Sequence, residues 1–168
     1  MLGVDKDANL IVIELKRTET GDYMELQALR YASMISTMSF ERCVSIYQKY
    51  IDSRDLNINA EEELMFFLDW DIPVEEDFAL DVKLVFASAD FSKELTSSVL
   101  WLIDKGTDIK CVKLTPYKHK EDLLLDVSQI IPLPESEDYL IKIKEKNEER
   151  RKVIESKRVI LLKKMRFL

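Results

Sequence analysis

Residues that punctuate loops are scarce in this chain: 3 glycines and 4 prolines among 168 residues. That scarcity excludes collagen-like, linker-rich and low-complexity architectures. Cysteine is equally sparse. Cys43 and Cys111 stand far apart without a CxxC spacing, and His119 is the one histidine in the sequence. Neither a disulfide framework nor a Cys/His zinc site follows from such a set, and both thiols read as ordinary buried side chains. No apolar run reaches the roughly 18 residues that cross a bilayer. The opening "MLGVDKDANL" lacks the basic and apolar regions of a signal peptide. The expectation is a cytoplasmic protein with no membrane partner.

What is present is 46% hydrophobic and 34% charged residues, enough for one well-buried core. The net charge of −7 would argue against a nucleic-acid partner if it were evenly spread. It is not. Residues 142–168 hold 11 Lys and Arg against 4 Glu, whereas residues 1–141 hold 14 against 28 Asp and Glu. An acidic body with a basic tail suits solubility or metal binding in the one part and a solvated helix or a DNA-contacting arm in the other.

The pattern predicts an α/β fold. Residues 1–16 read as a hairpin whose second arm, "LIVIEL", is β-branched enough for a central strand. Helical spacing follows over 22–37 through Leu26, Leu29, Ala32 and Met34, then from Ser39 to Asp52, then from an Asn59 cap to Asp69. "DVKLVFAS", the helix from the Ser92 cap to the Gly106 stop, and "DIKCVKLTPY" form a strand–helix–strand unit. "LLLDVSQIIPL" is a last strand, joined through the polar turn "KHKED". Trp101, with Leu100 and Ile103, is expected in the core; Trp70 falls in a turn. Residues 136–168 are helical by propensity and charged, ending in the apolar "VILLKKMRFL", which suggests a contact with this domain's own surface or with another subunit, the latter giving a homodimer through this helix.

The chemistry concentrates at the end of "LIVIELK". Side chains at i and i+2 of a strand share a face, about 6.5–7 Å apart, so Glu14 and Lys16 point together beyond Leu10 and Val12. A carboxylate can hold a divalent cation, and an ammonium beside it can orient water or stabilise phosphoryl charge. Gln27 and Tyr31 are spaced i and i+4, one above the other on the next helix. ExK ending an apolar strand, followed by QxxxY on the next helix, resembles the PD-(D/E)xK nuclease superfamily, in particular its RecB-like and NucS-like branches. The resemblance covers residues 1 to about 35. It implies a restriction-endonuclease-like mixed central sheet flanked by helices, occupying residues 1–135, and a metal-dependent DNA endonuclease or exonuclease. In it, Glu14 and the Leu15 backbone carbonyl bind Mg2+ or Mn2+, Lys16 assists the attacking water, and Gln27 and Tyr31 buttress the site or touch DNA.

The family also requires an Asp on the preceding hairpin arm. Asp5 and Asp7 are in sequence range, but a turn near Asp7 and Ala8 leaves both roughly 13 Å or more along the strand from Glu14. The position across from Glu14 falls near Met1 or just before it. The expectation is therefore an N-terminally truncated domain, inactive as it stands; the alternative is a catalytically dead nucleic-acid-binding or interaction module. Asp90 reads as a turn or cap residue. His119, flanked by Lys118 and Lys120, reads as a solvated loop group within reach of phosphate. Ser97 and Ser98 have no partners for nucleophilic catalysis.

Overall fold

A computed structural model describes residues 1–16 and 23–133. In chain order these are β1 (Leu2–Val4), β2 (Leu10–Lys16), α1 (Met24–Ile35), α2 (Phe40–Asp52), α3 (Ala60–Leu68), a 3-10 turn (Glu75–Asp77), β3 (Val82–Ser88), α4 (Lys93–Asp104), β4 (Ile109–His119) and β5 (Asp122–Ile131). The five strands form one sheet in sequence order. Its outer pairs are antiparallel and its inner pairs, β2–β3 and β3–β4, are parallel. The fold is thus α/β with a mixed sheet, and "LIVIEL" runs inside it.

Local chemistry sets the helix starts. Ser39 accepts the Arg42 N–H at 3.2 Å, Asn59 accepts the N–H groups of Glu61 and Glu62, and Ser92 accepts the Leu95 N–H. The Glu75 carboxylate adds an anionic acceptor at the start of α2, taking the Phe40 N–H at 3.0 and 3.1 Å. These caps fix where α2, α3 and α4 begin; α1 starts at Tyr23 without a side-chain cap.

Two apolar clusters make the core. Val12, Leu84, Phe86, Ile109 and Cys111 from the strands meet Met24, Ala28, Leu95 and Val99 from α1 and α4. Leu10 meets Phe40, Cys43, Leu64, Leu68 and Phe78 from α2, α3 and the turn. Leu10 and Val12 share one face of β2, so all four helices pack on that face. Both cysteines are free and buried. Burial pushes the Cys43 thiol up and the Cys111 thiol to about 12.

The core assignment of Trp101 is corrected. Trp101 is 60% exposed, with the Lys105 ammonium over its ring. The buried stripe of α4 is Leu95 and Val99, and at about 100° per residue Trp101 is carried to the opposite face. On α1 the buried residues are Met24 and Ala28, while Leu26 and Met34 are exposed. Trp70 packs on the Phe40 ring at 5.6 Å.

The last hairpin is longer than its sequence suggests. Strand β4 runs on through Pro116 to His119, which pairs with Asp122, so the turn is Lys120 and Glu121 alone. Lys120 takes the left-handed conformation at φ 55°. The outer halves of both strands are exposed, and the hairpin projects as an arm. The chain divides into Met1–Ile131 and Pro132–Leu168. The charged helix expected over 136–168, and the homodimer contact expected from it, lie outside the described residues. Among the described residues no helix is long and apolar enough to cross a membrane.

Candidate functional site

Strand β2 changes character along one face. Leu10 and Val12 are buried in the two clusters, and the next two side chains on that face are Glu14 and Lys16. The apolar half anchors the strand while its polar end stays partly shielded, with Glu14 and Lys16 side chains 15% and 26% exposed. Helix α1 packs on the strand through Met24 and Ala28, both fully buried in the same cluster as Val12. Gln27, next to Ala28, is thereby held over the strand end. Lys16 Nζ donates to Gln27 Oε1 at 2.6 Å and lies 3.5 Å from Glu14 Oε1.

Glu14, Lys16 and Gln27 are therefore joined as one group. Tyr31 sits one turn further along α1, 49% exposed, and among the described residues no hydrogen bond links its hydroxyl to the other three. Leu15 points its side chain to the opposite face, also half exposed. Its carbonyl is distinctive. Ile13 exchanges both backbone hydrogen bonds with Met1, at 2.9 and 2.7 Å, so odd-numbered residues of β2 turn their peptide groups toward β1. The Leu15 peptide group therefore faces the β1 side of the strand, beyond the Met1–Ile13 pair.

The same register fixes the position across from Glu14. Leu2 pairs with Val12 and Val4 with Leu10, so the partner position of Glu14 is one residue ahead of Met1. Asp5 and Asp7 lie at the far end of the hairpin. Asp5 accepts the N–H groups of Asp7 and Asn9, both at 2.9 Å, and is 2.5 Å from Lys83 Nζ. Burial opposes its charge, but Lys83 and the two N–H groups outweigh that and hold the Asp5 carboxyl below its usual value. The Asp5 hydrogen bond likewise raises Lys83. This is a structural lock on the turn and contributes nothing at Glu14.

Sequence reasoning passed over two residues that the sheet brings to the same line. The parallel registers align Lys16 with Ser88 and Ser88 with Lys113. Ser88 is 2% exposed, and Lys113 Nζ lies 3.8 Å from Asp90, in the connection ahead of the Ser92 cap of α4. Each ends an apolar run, "KLVFAS" and "CVK". That polar ending is the signal available in the sequence.

Among the described residues no three His, Cys, Asp or Glu side chains are grouped to hold a metal ion. The donors at the strand end are one carboxylate and one peptide carbonyl. Both are hard oxygens, which suit Mg2+ or Mn2+, and such ions often take one or two carboxylates and complete their shell with water and phosphate oxygens. The donor set fits a hard divalent ion with most of its shell left open. Comparison with protein-family models, with curated proteins and with solved structures found no match to this chain.

Proposed function

We propose that the chain carries a nuclease-type site of the PD-(D/E)xK kind on a restriction-endonuclease-like sheet, directed at DNA phosphodiesters with Mg2+ or Mn2+. The observation that supports it is the joined group at the end of β2: Lys16 held by Gln27 at 2.6 Å and set 3.5 Å from Glu14. Glu14 and the Leu15 carbonyl are the ligands of the cation. When bound, the cation supplies Lewis-acid polarisation and neutralises charge on the phosphate.

The protein's own groups do the remaining work. Gln27 occupies one donor of the Lys16 ammonium and so fixes its direction, leaving other donors for a water or a phosphate oxygen. Glu14, 3.5 Å from that ammonium, sets a carboxylate beside it. Tyr31, exposed one turn along, is placed to meet the DNA backbone. With one carboxylate at the strand end among the described residues, the site is half of a hydrolytic centre, and it binds the cation weakly and turns over little or no DNA.

Mn2+ titration followed by electron paramagnetic resonance tests this reading, with Glu14→Gln as the variant. The expected result is saturable binding that Glu14→Gln weakens about tenfold, some 1.4 kcal/mol. Binding indifferent to Glu14 would overturn it and favour the catalytically dead nucleic-acid-binding module.

A further inference from the structure

Among the described residues β5 is the outermost strand of the sheet, and at ten residues it is about twice the usual length. Its residues 122–128 make no backbone hydrogen bond outside the β4 ladder among the described residues, so one row of N–H and C=O groups is open to another strand. Such an edge is ordinarily blunted by lysine, proline or a bulge. Residues 122–131 contain no Lys, Arg or Pro, and the register shift of the β4–β5 pair lies at Cys111 and Val112, away from the exposed half. The side chains agree with the backbone. Leu123, Leu124, Leu125 and Val127 are 53–77% exposed. Leu123, Leu125 and Val127 share one face, where the register sets them beside Lys118, Pro116 and Leu114 of β4.

Leu125 is the midpoint of this open stretch, with Leu123 and Val127 placed symmetrically about it. The stretch is therefore its own complement across a two-fold axis normal to the sheet, which keeps every side chain on its own face. Charge selects the register. With the axis at Leu125, residues 122–128 are all paired: Leu125 meets its own copy, Leu123 meets Val127, Leu124 meets Asp126 and Asp122 meets Ser128. An axis at Leu124 would set Asp122 against Asp126, and one at Asp126 would set that carboxylate against its own copy. Like charges directly opposite one another destabilise a strand pair, so both slips are disfavoured. We propose that β5 is a homotypic interface: two copies of the chain join antiparallel through residues 122–128 about Leu125, and the sheet continues from one copy into the other. That span is well short of the roughly 20–30 residues a side of a standard interface, so the dimer is weak and concentration-dependent.

Sedimentation velocity of the full chain from about 10 μM to 1 mM, the range in which an interface below standard size reports, tests the pairing. The expected result is a reversible monomer–dimer equilibrium. Leu125→Lys sets two ammoniums opposite each other at the axis and should weaken the dimer about tenfold, and Leu125→Glu should do the same with two carboxylates. Mixed in equal amounts the two variants should associate again, because residue 125 of each copy then faces its opposite charge. Residue 125 is exposed, so each variant should match the parent in urea unfolding and the loss cannot be one of folding. Phe66→Lys, on an exposed position of α3, should leave the equilibrium unchanged. A monomer across the whole range, a dimer that Leu125→Lys leaves intact, an equal loss in Phe66→Lys, or a mixture of the Lys and Glu variants that stays monomeric would each overturn the proposal.

Discussion

The Lys16–Gln27 hydrogen bond invites a quantitative test. Gln27→Leu keeps the side-chain volume and removes the oxygen that accepts from Lys16 Nζ at 2.6 Å. The lysine is only 26% exposed and cannot recover a full water shell. A hydrogen bond to a charged group contributes about 1.5–3 kcal/mol net. Glu14 at 3.5 Å takes up part of the lost interaction, so the expected cost is about 1–2 kcal/mol. For a chain of this size that is roughly 2–8 °C in Tm. Urea unfolding of the parent, Gln27→Leu, Lys16→Met and the double variant closes the cycle, provided the urea dependence is unchanged. The two losses should overlap by about 1 kcal/mol. Additivity within about 0.3 kcal/mol would mean that the two side chains do not sense each other, and the site as described would be wrong.

Three further outcomes follow from the packing. Asp5→Ala removes the acceptor of two N–H groups and the Lys83 pair, at about 2–3 kcal/mol by thermal unfolding. Asp5 lies below its ordinary 3.8 and Lys83 above its ordinary 10.5. The Asp5 contribution is therefore whole above pH 3.8 and lost as pH falls through the lower folded value; that of Lys83 is whole below 10.5 and lost as pH rises through the higher one. The variant should accordingly show a flatter acid limb, and an unchanged limb refutes the lock. Cys43 and Cys111, buried and with Cys111 pushed up to about 12, should resist a thiol reagent at pH 8 until urea unfolds the chain, so rapid labelling of the native protein contradicts the core assignment. Trp101→Gln should stay within about 0.5 kcal/mol of the parent in the same urea assay, and a core-sized loss would restore the original reading of that residue.

Element identity was legible because it is written locally. Ser39, Asn59 and Ser92 announce helix starts, and "LIVIEL" is too apolar for an edge. The i, i+2 rule also placed Glu14 and Lys16 together, and hairpin arithmetic separated Asp5 from Glu14. Trp101 was misread because its apolar neighbours suggested a stripe, whereas the angle from Val99 decides the face. The length of β4 was hidden by Pro116 and the charged "KHKED": the extension is held by pairing with Leu123, Leu124 and Leu125 across the hairpin, which no local pattern records. Ser88 and Lys113 were missed for a related reason. Parallel strands acquire their register through the helices between them, and only the folded sheet aligns residues 16, 88 and 113.

The central claim is that Glu14, Lys16 and Gln27 are one half of a metal-dependent hydrolytic site. The register gives its most direct test. An Asp introduced immediately before Met1 falls across from Glu14 as a non-hydrogen-bonded pair, with Cα atoms about 4.5 Å apart and side chains on one face. With Mn2+ and labelled DNA, the extended chain should bind the cation more tightly than the parent and cleave phosphodiester bonds, and Glu14→Ala or Lys16→Ala should abolish the cleavage. An extended chain that neither gains Mn2+ affinity nor cuts DNA, or one whose cleavage survives Glu14→Ala, would contradict the account.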